Sequence, residues 1–184
     1  MYLFFDTETN GLPIKRTAPV EDLDNWPRLV QLAFLLYDFN GALISSGNFI
    51  IKPDGFVIPS DVAEIHRIST ERALSEGIPA ISVLNEFSKT VQNAKYLVAH
   101  NMYFDKRVVG AEYLRCDLED SLKYKKKICT MHGTTKFCGI GKWPTLQELH
   151  QKLFNEGFEE AHDASVDIQA TANCFWELKK LGII

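Results

Sequence analysis

The chain opens with MYLFFDTETNGL, Met1 to Leu12. Tyr2, Leu3, Phe4 and Phe5 form an apolar, aromatic run suited to a buried strand. The run stops at Asp6-Thr7-Glu8, and Asn10-Gly11 turns the chain. Residues two apart on an extended strand point to the same side. Asp6 and Glu8 therefore present two carboxylates together. Like charges about 4 Å apart repel by roughly 4 kcal/mol at an effective dielectric near 20. Such a pair is costly unless protonated or bridged by a cation. An isolated D-x-E is most simply a strand running out into a polar loop, so its meaning depends on what the remaining sequence brings to it.

The 184 residues fit one domain, 1–184, with a real core, and 46% apolar and 24% charged residues are ordinary for a globular chain. No apolar run approaches the roughly 20 residues of a membrane helix. Met1 abuts the first strand, and Cys116, Cys129, Cys138 and Cys174 form no C-x-x-C pair. The expectation is reduced thiols and a cytoplasmic location, with no membrane partner. A net charge of −4 argues against a nucleic-acid binder on charge alone. Two divalent cations in a carboxylate cluster would offset it.

Pro13 to Pro27 is an irregular, proline-containing connection. Leu29 to Tyr37 (LVQLAFLLY) is apolar enough for a central strand covered on both faces. Asp38 to Gly41 turns the chain into a second strand, Ala42 to Ile51, making an antiparallel hairpin. Short helices follow, from Ser60-Asp61 through His66 and from Ser69-Thr70 through Glu76. Ile81, Leu84, Phe87 and Val91 mark an amphipathic helix after Pro79. Tyr96 to Ala99 is a short strand, and Asn101 is placed to cap a helix from Met102 to about Leu114. A last strand lies around Ile128-Cys129. Pro144-Thr145 opens a helix with Leu146, Leu149 and Leu153 on one face. The final helix runs from about Asp163 to Lys180, with Ile168, Thr171, Phe175 and Leu178 inward. Three strands followed by helices alternating with two more indicate an α/β fold with a mixed sheet.

Asp105 falls in the first turn of the helix after the fourth strand, where the helix dipole favours a carboxylate. That strand–helix corner is also where open α/β sheets gather ligand groups. Near the end stand His162, Asp163 and Asp167 in the segment HDASVD. Singly, each has a bland reading as a cap, a solvated face or a satisfied polar group.

Together, FDTET (Phe5–Thr9), HNMYFD (His100–Asp105) and HDASVD (His162–Asp167) resemble the three motifs of the DEDDh, or DnaQ-like, 3′–5′ exonucleases. The motifs stand in the family's order across nearly the whole chain. The RLVQLAF and KWPTLQELHQKLF segments add to the resemblance. It implies a ribonuclease H-like fold, a mixed five-stranded sheet flanked by helices. It also implies metal ligands Asp6, Glu8, Asp105 and Asp167, a general base His162, and two Mg²⁺ or Mn²⁺ ions. All-oxygen ligands favour such hard ions over zinc. A histidine suits proton abstraction from water near neutral pH.

In similar proteins the segment corresponding to Thr9, Gly11 and Leu12 meets the terminal nucleotide. His66, in EIHRIST, resembles a segment whose histidine lies near substrate, although Arg67 stands where glycine is usual. Asn101 belongs to the second motif and also serves as a helix cap. The run Lys123 to Lys127 suits either a nucleic-acid backbone or a protected sheet edge. The leading expectation is an exonuclease acting on the 3′ end of DNA, of the proofreading or trimming type, with single-stranded DNA as partner and a DNA polymerase as a further one. An exoribonuclease resembling ribonuclease T or oligoribonuclease is the alternative within enzymes. A non-catalytic nucleic-acid- or polymerase-binding module is the alternative outside them.

Overall fold

A computed structural model describes residues 1–158 and 163–184. Five strands, β1 (Tyr2–Thr9), β2 (Leu29–Tyr37), β3 (Leu43–Ile50), β4 (Tyr96–Ala99) and β5 (Lys126–Cys129), form one sheet in the order β3-β2-β1-β4-β5. The hairpin pairs β1, β2 and β3 antiparallel, whereas β4 and β5 run parallel to β1. This is the expected mixed sheet of the ribonuclease H-like fold. β2 is buried along nearly its whole length, as its unbroken apolar run requires. β3 is an exposed edge. A Cβ on its Gly47 would lie 2.5 Å from the Phe34 ring, so a larger residue there would have to displace that ring.

The helices are α1 (Ser60–His66), α2 (Thr70–Glu76), α3 (Ala80–Asn93), α4 (Met102–Arg115), α5 (Thr130–Gly133), α6 (Thr135–Cys138), α7 (Leu146–Phe154) and α8 (Ala164–Lys180). Alternation along β1 sorts the two faces of the sheet. Phe4 meets Phe175 of α8 edge-on at 5.2 Å, and Phe5 meets Phe87 of α3 at 5.6 Å. Such aromatic pairs add about 0.5–1.5 kcal/mol beyond the area they bury. None of the described helices is long and apolar enough to cross a membrane.

Several local expectations change. In α3, Val83 takes the inward position and Ile81 is left exposed, because Val83, Leu84, Phe87 and Val91 set the phase of the buried face. Ser60 is the first helical residue rather than the cap; Pro59 holds the cap position and makes no side-chain bond. Asn101 occupies the cap position of α4 in a left-handed conformation, and its side chain caps nothing. Ser69, Thr145 and Asp163 do cap α2, α7 and α8, and Thr145 with Glu148 forms a reciprocal capping box. The single turns α5 and α6 were not foreseen, since four residues carry no periodic signal.

Candidate active site

The C-terminal half of β1 delivers Asp6 and Glu8 to the face covered by α8. Their neighbours in the antiparallel register are Ala33 and Gln31 of β2. Asp167 comes from the first turn of α8. One carboxylate oxygen from each of Asp6, Glu8 and Asp167 lies within 4.8 Å of the others, and all three side chains are half-buried.

Asp105, in the first turn of α4, is buried and lies outside that threesome, near enough for its charge to act on Asp6 and Glu8. Thr7, on the opposite side of β1 from Asp6 and Glu8, donates its hydroxyl hydrogen to Asp105 Oδ1 at 2.8 Å. The motif thus works on both faces of one strand: two residues supply carboxylates, and the one between them orients a third.

The electrostatics reflect this crowding. Burial, then the charges of Asp105, Glu8 and Asp167, holds the Asp6 carboxyl well above the usual carboxylate range. Burial and the charges of Asp167 and Asp105 push Glu8 up to about 8. Burial raises Asp105 to about 7 even though the Thr7 hydrogen bond favours its charged form. Four carboxyl groups whose charges oppose one another fit a multivalent cation, and their all-oxygen donor set suits Mg²⁺ or Mn²⁺.

Gln31 stands between this group and the rest of the fold. It is buried, its Oε1 accepts from the Ala164 amide at 3.2 Å, and its Nε2 donates to Asn48 Oδ1 at 2.9 Å and approaches Asp163 Oδ1 at 3.5 Å. Asp163 Oδ1 also accepts from the Ser165 amide and hydroxyl. Burial works against the Asp163 charge, but these hydrogen bonds outweigh it and lower its pKa. His100, at the end of β4, bridges Thr130 Oγ1 at 2.9 Å and the Pro144 carbonyl at 3.0 Å. Burial lowers its pKa to about 4, so it is a neutral strap between β4, α5 and the approach to α7.

Thr9, Gly11 and Leu12 lie immediately beyond the carboxylates. Thr9 donates to the Gly11 carbonyl at 2.7 Å, and Leu12 projects into solvent with 76% of its surface exposed. A cleft of about 560 Å³ flanks this turn, bordered by Leu12, Ile14, Trp26, Arg28 and Phe56. Asn10 pins the turn to the next segment: its Oδ1 accepts from the Arg28 backbone amide at 2.8 Å, and its own backbone N–H donates to the Arg28 carbonyl at 3.1 Å.

His66 is buried at the end of α1, where its Nδ1 accepts from the Ile68 amide at 3.2 Å. Arg67 adopts the left-handed conformation (φ 61°) that glycine would supply, so the turn survives the replacement. Asn101 is half-buried beside the start of α4. The lysine run is partly structural: Lys125 Nζ donates to the Gln92 and Ala94 carbonyls and Lys127 Nζ to that of Lys123. His162 lies outside the described residues.

Three residues that support the site are absent from the sequence-based candidates. Thr7 was hidden inside its motif, and Gln31 read only as part of a strand. The third is buried Glu112, whose Oε1 accepts from Arg28, Arg115 and the Leu29 amide at 2.8, 2.8 and 3.1 Å. A glutamate seven residues after Asp105 faces the same side of α4, which was the available hint.

The sequence model of the exonuclease family (RNase_T) matches residues 3–175. The chain is 28% identical over 177 residues to the PolC-type DNA polymerase III of Streptococcus pyogenes, covering 92% of this chain and 10% of the polymerase. Its fold superposes on the zinc-bound complex of E. coli exonuclease I with single-stranded DNA with a TM-score of 0.78 at 20% identity, over 97% of this chain and 40% of that one. Exonuclease I of Methylocaldum szegediense gives 0.76 at 18% identity over the same shares. The chain thus spans a tenth of the polymerase and two-fifths of the exonucleases it resembles. A match running from β1 into α8, over the strands and helices that carry Asp6, Glu8, Asp105 and Asp167, places the chain in the exonuclease family, in its DEDDh, DnaQ-like branch.

Proposed function

We propose that this chain is a metal-dependent 3′–5′ exonuclease that releases 5′-mononucleotides from single-stranded DNA. The observation that carries the reading is the convergence of Asp6, Glu8 and Asp167 within 4.8 Å, with Asp105 beside them. These four residues would hold two divalent ions, Mg²⁺ or Mn²⁺. Ions held there would supply charge neutralisation of the phosphodiester and would lower the pKa of a bound water. Thr7 keeps Asp105 facing the group, and α8 presents Asp167 to it. His162 takes a proton from the attacking water. The Thr9–Leu12 turn receives the terminal nucleotide, with the exposed Leu12 side chain against its base. His66 and Asn101 flank the substrate path.

DNA is favoured over RNA by the similarity to an exonuclease I that binds single-stranded DNA. The PolC-type relative supports action beside a polymerase. The test is product analysis with matched DNA and RNA oligonucleotides in Mg²⁺ or Mn²⁺. Mass spectrometry is expected to find 5′-mononucleotides, formed faster from DNA. His162→Ala is expected to lose at least about a hundredfold in turnover, within the range for removing a general base. Near-normal turnover in that variant would refute the role.

A further inference from the structure

We propose that Gln31 is a positioning residue for the reaction, setting the place of Asp167 by clamping the start of α8 to the sheet. The inference rests on the proposed metal-dependent nuclease reading.

Gln31 pairs with Glu8 in the β1–β2 register, so its side chain rises from the sheet beside a carboxylate of the site. It is 3% exposed and bonded at both ends of its amide. Oε1 takes the Ala164 amide, one of the helix N-terminal donors that has no partner within its own helix. Nε2 is directed at Asp163 and Asn48. The partners fix the orientation of the amide, because a backbone N–H requires the oxygen and the Asp163 carboxylate requires the nitrogen. Three elements, β2, β3 and α8, therefore meet at one side chain.

Asp167 lies within a turn of this clamp. Its amide and that of Val166 both donate to the Asp163 carbonyl at 2.9 Å. Ala164 and Asp167 are separated by about 4.5 Å of helix rise. A shift at the first residue of α8 moves the carboxylate with it. Displacements near 1 Å can cost about a hundredfold in rate. Nothing in this arrangement requires Gln31 to touch substrate. Its effect is on the separation of Asp167 from Asp6 and Glu8.

The first variant is Gln31→Met, of similar length without the hydrogen bonds. The readouts are Mn²⁺ affinity by titration calorimetry, kcat and KM on a single-stranded oligonucleotide, and the melting temperature with chelator. The expected result is at least tenfold weaker Mn²⁺ binding and at least tenfold lower kcat, with KM within threefold of the wild type. Gln31→Glu places a carboxylate against Asp163 and is expected to lose as much. The double variant Gln31→Glu with Asp163→Asn exchanges donor and acceptor, and is expected to recover Mn²⁺ affinity to within threefold. A merely structural residue would lower the melting temperature and leave Mn²⁺ affinity and kcat alone; that result, or failure of the double variant to exceed Gln31→Glu, overturns the proposal. Should Gln31→Met not fold, Gln31→Asn, one methylene short of α8, carries the same expectations. Because Mn²⁺ binding is read without turnover, a wild-type protein that binds metal yet degrades nothing would refute the nuclease reading while leaving the clamp testable.

Discussion

Thr7 and Asp105 are 98 residues apart in sequence, yet the Thr7 hydroxyl donates to Asp105 Oδ1 at 2.8 Å across a buried contact. The bond ties the first and second motifs together beneath the carboxylates. A hydrogen bond to a charged group contributes about 1.5–3 kcal/mol. Thr7→Val keeps the β-branched shape and removes the donor. It is expected to lower kcat by about tenfold or more, by the usual conversion of such an energy into rate. Thr7→Ser restores the hydroxyl and is expected to recover most of the rate. Steady-state kinetics on one oligonucleotide decides it.

The raised carboxyl pKa values make metal-free stability fall with pH. Glu8, at about 8 against an ordinary 4.5, and Asp105, at about 7 against 3.8, bind protons in the folded chain that the unfolded chain has released. The folded state therefore loses ground as pH rises from about 4 through 8. Melting curves in chelator are expected to show this decline, with Asp6→Asn reducing it. Added Mn²⁺ is expected to raise the melting temperature more at pH 8 than at pH 5.5. A metal-independent melting temperature across this range would contradict the assignment of the cluster.

His100 works in the other direction. Its folded pKa, about 4 against an ordinary 6.5, favours the neutral ring, so its strap is intact above 6.5 and is lost as pH falls toward 4. The shift corresponds to at most about 3 kcal/mol. The difference in unfolding free energy between the wild type and His100→Gln is expected to shrink between pH 7 and pH 4.5. Urea titrations at the two pH values measure it.

Glu112 joins α4 to the start of β2. It is 1% exposed and takes Arg28 and Arg115 on a single oxygen. Arg28 also stacks over Phe56 at 4.4 Å, and its backbone is bound to Asn10. Glu112→Ala leaves two cations uncompensated and is expected to cost about 3–5 kcal/mol of stability. Through Arg28 and Asn10 it is also expected to raise KM by severalfold, since the Thr9–Leu12 turn loses its anchor. Chemical denaturation and Michaelis kinetics test the two halves separately.

The sheet was legible because hydrophobic pattern and turn chemistry agree along it. Leu29–Tyr37 has its expected bounds, and Tyr96–Ala99 likewise. The resemblance of three motifs to the exonuclease family implied the carboxylate set, of which the structure gathers Asp6, Glu8 and Asp167. What the sequence hid is polar and long-range. Thr7, Gln31 and Glu112 each bond to one partner 98, 133 and 83 residues away respectively, and no local period encodes those long-range pairs. Asn101 misled because its residue type matches a cap while its backbone is left-handed, which takes the side chain out of capping geometry.

The most direct test of the account is digestion of 5′-labelled single-stranded DNA with Mg²⁺, with Mn²⁺ and with chelator, in parallel with Asp6→Ala. A ladder shortening from the 3′ end that requires metal and vanishes in the variant is expected. Metal-independent cleavage, a ladder from the 5′ end, or equal activity in Asp6→Ala would contradict it.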